Sequence, residues 1–319
     1  MSAAWKERPE LGNPLALRMI LAFAFGAGRT VTRALLFPSA LYFLIVRGPE
    51  RRASLQFLSR LMGRPARLHH TFRHMLCFSY AVLDRLYLVT ERFERFNIRC
   101  FGLDDLDRAL DGGRGVLLVG GHIGSFEALR VLSLQRPEVP IRILLDLEQG
   151  PKVSHTLNAL NPEMAATIID VRAVGPTVTL AIKEALGRNS IVALLADRAL
   201  PGQGTQSARF LGHSAPLPIA PWLLAAALKV PVILAFGLYC GGNRYDLHFE
   251  SFSDGVTLDR NHRAEALSQI LQRFADRLAH YAHLAPYNWF NFYDFWHDAV
   301  RDDGGSARPD DGAGAMRRA

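Results

Sequence analysis

Gly120-Gly121-His122-Ile123-Gly124-Ser125-Phe126-Glu127, following directly on the apolar run 115–119, places an imidazole and a carboxylate five positions apart at the end of a strand-like segment. On one continuous helix, residues five apart point about 140° away from each other. The pair therefore converges only if His122 lies in the turn and Glu127 on the helix that follows, and the two glycines permit such a turn. A carboxylate on one imidazole nitrogen fixes the tautomer and leaves the other nitrogen free to take a proton from a hydroxyl. That arrangement suits acyl transfer to an alcohol. The spacing alone does not decide for catalysis, because most neighbouring His and Glu residues are structural, so the weight falls on what surrounds the segment.

Working outward, short apolar runs at 116–119, 141–145, 167–169, 191–196 and 231–236 alternate with helical stretches at 103–110, 125–134, 177–186, 219–227 and 261–282. This alternation predicts an α/β fold, a sheet covered by helices. Residues 50–95 repeat apolar positions at helical spacing and predict two helices with a break near 63–65. No internal repeat and no linker divides the chain, and the tail from Asp302 to Ala319, poor in apolar residues, reads as disordered.

A chain of 319 residues with 49% apolar residues and a formal charge of +7 has ample material for a core and favours an anionic partner: an acidic protein, anionic lipid or nucleic acid. Cys77, Cys100 and Cys240 are odd in number and widely spaced, which argues against a disulfide framework or a zinc site and fits a reducing compartment. Between residues 15 and 46 the chain is mostly apolar, interrupted by Arg18, Arg29 and Arg33 and broken by Pro38. Its longest clean piece, 34–46, falls short of the roughly 20 residues that cross a bilayer. Nor does it read as a cleaved signal peptide. Interfacial anchoring fits best, with apolar faces in the acyl boundary and arginines on anionic headgroups.

Other constellations carry less. Asp197-Arg198 stands at the end of the 191–196 run, where ligands usually bind in α/β sheets, although a strand-end salt bridge accounts for it equally well. The glycines at 202 and 204 suggest a loop, and 210–218 a hairpin leading through prolines into a helix, without the Lys-Ser/Thr of a phosphate loop. His69, His70 and His74 include an i, i+4 pair, yet their basic surroundings predict a solvated face and no metal site. Gly124-Ser125-Phe126 lacks the glycine that a nucleophile elbow places after its serine. Seven aromatics crowd 286–296 with no interleaved base, which suits a core edge, a lipid-facing surface or an acyl pocket and disfavours nucleic acid.

Taken together, His122-x4-Glu127, the block 194–198, Phe210-Leu211-Gly212 with Pro216 and Pro218, and the closing 289–296 resemble, in order, segments of the lipid A biosynthesis (secondary, or late) acyltransferase family, which also includes mycobacterial mannoside acyltransferases. The arginine-studded N-terminus with Gly28-Arg29 and Tyr42-Phe43 is similar too, so the resemblance spans about residues 5–298. It implies a central mixed sheet flanked by helices, glycerolipid-acyltransferase-like, in an α/β domain of residues 96–300. A membrane-associating helical region, 1–95, precedes it and a disordered tail, 301–319, follows. It further implies a monotopic enzyme on the cytoplasmic face of the bacterial inner membrane, with no cofactor or metal. Such an enzyme moves an acyl chain from an acyl-carrier-protein or CoA thioester to a hydroxyl of a membrane lipid, on an anionic lipid surface.

Carried over residue by residue, His122 is the general base and Glu127 its orienting carboxylate, with no covalent acyl-enzyme. Asp197 and Arg198 position the site or the acceptor, and Arg172 binds a phosphate. Backbone N–H groups at 124–126, or Arg198, are the oxyanion donors. Asp197-Arg198-Ala199-Leu200 and the aromatic block resemble divergent members more than the lipid A enzymes, which leaves the acceptor open. N-acyl transfer, lysophospholipid acylation and a non-catalytic lipid-binding role are the alternatives.

Overall fold

The computed structural model describes residues 23–24, 26–146, 161, 163, 166–171, 176–199, 202–259 and 261–296. Three helices come first: α1 (Gly28–Val46), α2 (Gly48–Met62) and α3 (Leu68–Val89). The break between α2 and α3 is set by Gly63, whose left-handed φ of 63° ends α2. Pro38, expected to break the N-terminal run, lies inside α1. Proline removes one backbone donor, and the apolar residues on both sides carry the helix through that gap. α1 buries only Thr32 and Ala40, and it leaves Val31, Leu35, Phe37, Tyr42 and Ile45 exposed. By length and composition it is apolar enough to cross a membrane. An apolar surface of this extent marks a membrane or partner contact, and the helix is consistent with membrane association.

α2 and α3 are built into the core. Phe57, Leu58 and Leu61 of α2 join one hydrophobic cluster, and Cys77, Ala81, Leu83 and Leu86 of α3 join the other. The two clusters lie on opposite faces of the sheet, as the period-2 alternation of its strands requires. Leu117, Val119, Val192 and Leu194 point to the first, and Val116, Leu118, Ile191 and Ala193 to the second.

That sheet has seven strands: β1 (Asn97–Phe101), β2 (Val116–Gly120), β3 (Ile141–Leu145), β4 (Ile168–Asp170), β5 (Ile191–Leu195), β8 (Val232–Tyr239) and β9 (Arg244–Ser253), in the order β1-β9-β8-β2-β5-β3-β4. β8, β2, β5, β3 and β4 run parallel; β9 turns back antiparallel to β8, and β1 runs parallel to β9. The mixed sheet is thus as expected. β6 (Thr205–Phe210) and β7 (His213–Pro218) form the separate hairpin foreseen over 210–218, which starts earlier than expected. The other α-helices are α4 (Leu103–Asp111), α5 (Val131–Gln135), α6 (Pro176–Gly187), α7 (Ala220–Leu228) and α8 (Arg263–Leu284), and single 3-10 turns stand at Phe93–Arg95 and Glu127–Arg130.

Candidate active site

β2 and β5 are neighbours, and their register pairs Gly120 with Leu195. Each strand is followed by one linking residue and then a polar side chain: Gly121 before His122, and Ala196 before Asp197. Equal overhangs on paired parallel strands put these two side chains together at the carboxyl edge of the sheet, where α/β folds bind ligands. The His122 Nδ1–H donates to Asp197 Oδ1 at 2.6 Å, and the His122 backbone N–H donates to Oδ2 at 2.9 Å. Oδ2 also accepts Trp289 Nε1–H at 3.1 Å and Asn291 Nδ2–H at 3.1 Å. Asp197 is fully buried, so four donors on one carboxylate are what make its charge tolerable there.

Burial alone would raise the Asp197 carboxyl, but His122 and the Arg198 charge outweigh it and hold it well below the usual carboxylate range. Burial, reinforced by the Arg198 charge, pushes His122 below its ordinary value, with Asp197 pulling the other way. The imidazole is therefore neutral at pH 7. With Nδ1 donating to Asp197, Nε2 keeps its lone pair, and among the described residues it has no hydrogen-bond partner.

Glu127, the carboxylate expected on this imidazole, forms no hydrogen bond to it among the described residues. It pairs with Arg85 of α3 at 2.6 Å and accepts Ser125 Oγ–H at 3.3 Å. The reason lies in the turn between them. The Gly124 N–H donates to the Asn288 carbonyl and the Ser125 N–H to the Gly237 carbonyl, each at 2.8 Å, so 123–125 is stitched to neighbouring segments instead of starting a helix. Gly124 has φ of 68°, and a Cβ on it would meet the Gly237 carbonyl oxygen at 1.9 Å, so only glycine fits. Helical structure begins at Glu127 itself, as a single 3-10 turn over Glu127–Arg130. The same bonds occupy the N–H groups of Gly124 and Ser125, two of the expected oxyanion donors.

Arg198 is held by Asn291 Oδ1, which accepts its Nε–H, and by the Phe290 carbonyl, which accepts from Nη2 at 2.8 Å. Arg198 also lines a cavity of about 390 Å³ at the carboxyl ends of β2, β3, β4 and β5. His122 opens into the same space, whose walls include Leu144, Val178, Ile182, Leu194 and Leu224. Val171 lines it as well, while Arg172, the expected phosphate ligand, lies outside the described residues.

The aromatic block is core. Trp289, Phe295 and Trp296 are buried around Phe210, and none of them lines this cavity. Its backbone also clamps the histidine turn: Trp289 bridges Ile123 and the Phe290 N–H donates to the His122 carbonyl at 2.8 Å. His74, expected on a solvated face, is fully buried: Ser54 Oγ lies 2.9 Å from Nδ1, and the Trp289 carbonyl 2.9 Å from Nε2. His70 is buried beside it, and among the described residues no cluster of His, Cys, Asp and Glu could hold a metal. Cys77, Cys100 and Cys240 are all free thiols.

Compared with known protein families, residues 85–297 match one, described as bacterial lipid A biosynthesis acyltransferase. The matched span covers well over half of the chain and contains His122, Glu127, Asp197, Arg198 and the aromatic block. No curated protein matches the chain.

Proposed function

From the premise that this chain belongs to the bacterial lipid A biosynthesis acyltransferase family, we propose that it transfers a fatty acyl chain from a thioester to a hydroxyl of a membrane lipid, with His122 as general base. The observation that carries the reading is an imidazole whose Nδ1 is bonded to a buried carboxylate and which lines a largely apolar cavity. Asp197 takes the orienting role expected of Glu127. Glu127 serves the site indirectly, by holding Arg85, whose charge also acts on His122.

In the reaction the acceptor hydroxyl gives its proton to His122 Nε2 as its oxygen bonds to the thioester carbonyl carbon. The carbonyl oxygen gains negative charge, and the Arg198 guanidinium at the cavity wall is the cation available to it. Collapse breaks the C–S bond, and the imidazolium returns its proton to the departing thiolate. Direct transfer fits the surroundings, since the buried Ser125 hydroxyl donates to Glu127 and has no hydrogen bond to His122 among the described residues. The leucine, isoleucine and valine walls suit the acyl tail. An acidic acyl carrier protein is the donor that best complements the +7 charge, with CoA as the other thioester. α1 and its exposed apolar residues support a position on a membrane surface; the choice of the cytoplasmic face of the inner membrane rests on the family alone.

The test supplies purified wild type and His122→Ala with isotope-labelled acyl-carrier-protein and acyl-CoA thioesters and a total lipid extract, and identifies products by mass. A labelled ester formed by wild type alone is expected, and its mass names the acceptor. Equal product from both proteins removes His122 from the mechanism.

A further inference from the structure

A second cavity, of about 540 Å³, lies beside the first turn of α1 and is lined by Arg29, Thr30, Arg33, Arg95, Gly242 and Asn243. Three guanidinium groups meet there. The carboxylate nearest Arg29 and Arg33 is Asp84, fully buried, which accepts Arg29 Nε–H and Nη2–H at 2.6 and 2.7 Å and the Tyr245 hydroxyl at 2.9 Å, with Arg33 at 3.8 Å. The carboxylate nearest Arg95 is Glu94, at 3.8 Å and largely exposed to water. The wall therefore carries more positive charge than its own carboxylates neutralise.

The arginines are also held in place. Arg29 and Arg33 both donate to the Gly242 carbonyl, at 2.6 and 2.8 Å, and the Arg33 guanidinium lies 3.8 Å from the centre of the Tyr80 ring while donating to the Tyr239 hydroxyl. Planar guanidinium groups fixed by a scaffold are the donors best matched to phosphate oxygens. From this cavity α1 carries its exposed Val31, Leu35, Tyr42 and Ile45. The 239–244 turn that supplies Gly242 and Asn243 follows β8, which runs parallel to β2, so the cavity stands at the same end of the sheet as His122.

We infer that this cavity binds the phosphate of an anionic membrane-lipid headgroup, whose acyl chains lie along the apolar surface of α1. A headgroup held there fixes the height and tilt of the catalytic edge over the bilayer. The inference rests on the membrane-associating reading of α1 and is independent of the acyl-transfer chemistry.

Sedimentation of the full chain with vesicles tests it, comparing phosphatidylcholine alone with phosphatidylcholine containing phosphatidylglycerol. Arg95→Gln removes one cavity cation without disturbing the Asp84 network, and Arg108→Gln removes one charge from an exposed side chain of α4. Arg95→Gln is expected to weaken binding to the phosphatidylglycerol vesicles by roughly fivefold or more and Arg108→Gln by less than about twofold, with both variants keeping the thermal midpoint of wild type. Equal losses would mean diffuse charge attraction and overturn the site. Equal wild-type binding to both vesicle compositions would overturn it while leaving the apolar helix as the anchor. No binding to either would overturn the membrane reading too, whereas activity on detergent-dispersed lipid would still test the acyltransferase assignment separately. Inorganic phosphate should release the protein from the phosphatidylglycerol vesicles better than chloride at equal ionic strength, whereas a rise in thermal midpoint with inorganic phosphate together with equal binding to both vesicle compositions would assign the cavity to free phosphate instead.

Discussion

Replacing Asp197 with Asn tests the site more sharply than removing His122. The carboxylate is asymmetric: Oδ2 accepts three N–H groups, from the His122 backbone, Trp289 and Asn291, whereas Oδ1 faces only His122 Nδ1. An amide has one acceptor, and three donors outweigh one. The Asn oxygen will therefore turn to the Oδ2 position and its NH2 to the imidazole. Nδ1 then has to accept, the proton moves to Nε2, and the nitrogen facing the cavity can no longer take a proton. Loss of general-base catalysis through the wrong tautomer is expected to cost on the order of 10² to 10⁴ in kcat, equivalent to roughly 3–5 kcal/mol of barrier. Size and the three outer hydrogen bonds are preserved, so the thermal midpoint should change little. Rates of labelled-ester formation at saturating donor, measured for Asp197→Asn and Glu127→Gln side by side, decide the matter. Asp197→Asn staying within about threefold of wild type while Glu127→Gln collapses would refute the reasoning and return the orienting role to Glu127.

Other perturbations bear on the same architecture. The wild-type rate should fall only on the acid side of pH 6.5, because His122 titrates below that ordinary value and is already neutral above it; a pH profile of kcat/KM with its acid limb above 6.5 would contradict the burial of the base. His74, driven down to about 4 by burial, stays neutral in the fold but takes up a proton when unfolded below pH 6.5. Its contribution to stability is complete above that pH and is lost as pH falls toward 4, amounting to about 2 kcal/mol by pH 5; urea unfolding at pH 7 and 5 should show this loss in wild type and not in His74→Gln. Gly124→Ala should cost at least about 2 kcal/mol, read as a lowered denaturation midpoint, since its Cβ collides with the Gly237 carbonyl. Leu224→Trp, which narrows the catalytic cavity, should shift donor preference toward shorter acyl chains by roughly tenfold in kcat/KM, checked with a series of thioesters.

The elements that were legible in the sequence are those whose burial is written in local periodicity. β2 and β5 are continuous apolar runs because both their faces are covered, and α2 and α3 show their core faces at helical spacing. β9 went unread although Tyr245, Leu247 and Phe249 alternate strictly with polar residues, a signal of a half-covered strand that searching for apolar runs passes over. β1, with only Ile98 and Cys100 partly covered, carries less of the same signal. The identity of the His122 partner is non-local. Glu127 was favoured by its nearness along the chain, but the contact depends on β2 and β5 being neighbours in register, and no local pattern encodes that adjacency. The equal spacing from the end of each run to His122 and to Asp197 was the available clue. His69 is exposed as expected, but His70 and His74 are buried: their basic neighbours look solvated, while the groups that satisfy His74 come from Ser54 and from Trp289 far down the chain.

One consequence of the Asp197 hydrogen bonds concerns the order in which the chain is made. His122 leaves the ribosome long before Asp197, and Trp289 and Asn291, which stand 92 and 94 residues beyond Asp197, come later still. Until that last segment docks, the aspartate lacks two of its four donors, and the histidine turn lacks the backbone strand that pins it. A nascent chain without residues 289–291 therefore lacks the contacts that would hold the proposed base in place. On the proposed mechanism, acyl transfer waits until residues 289–291 have been made and docked on Asp197 and the histidine turn.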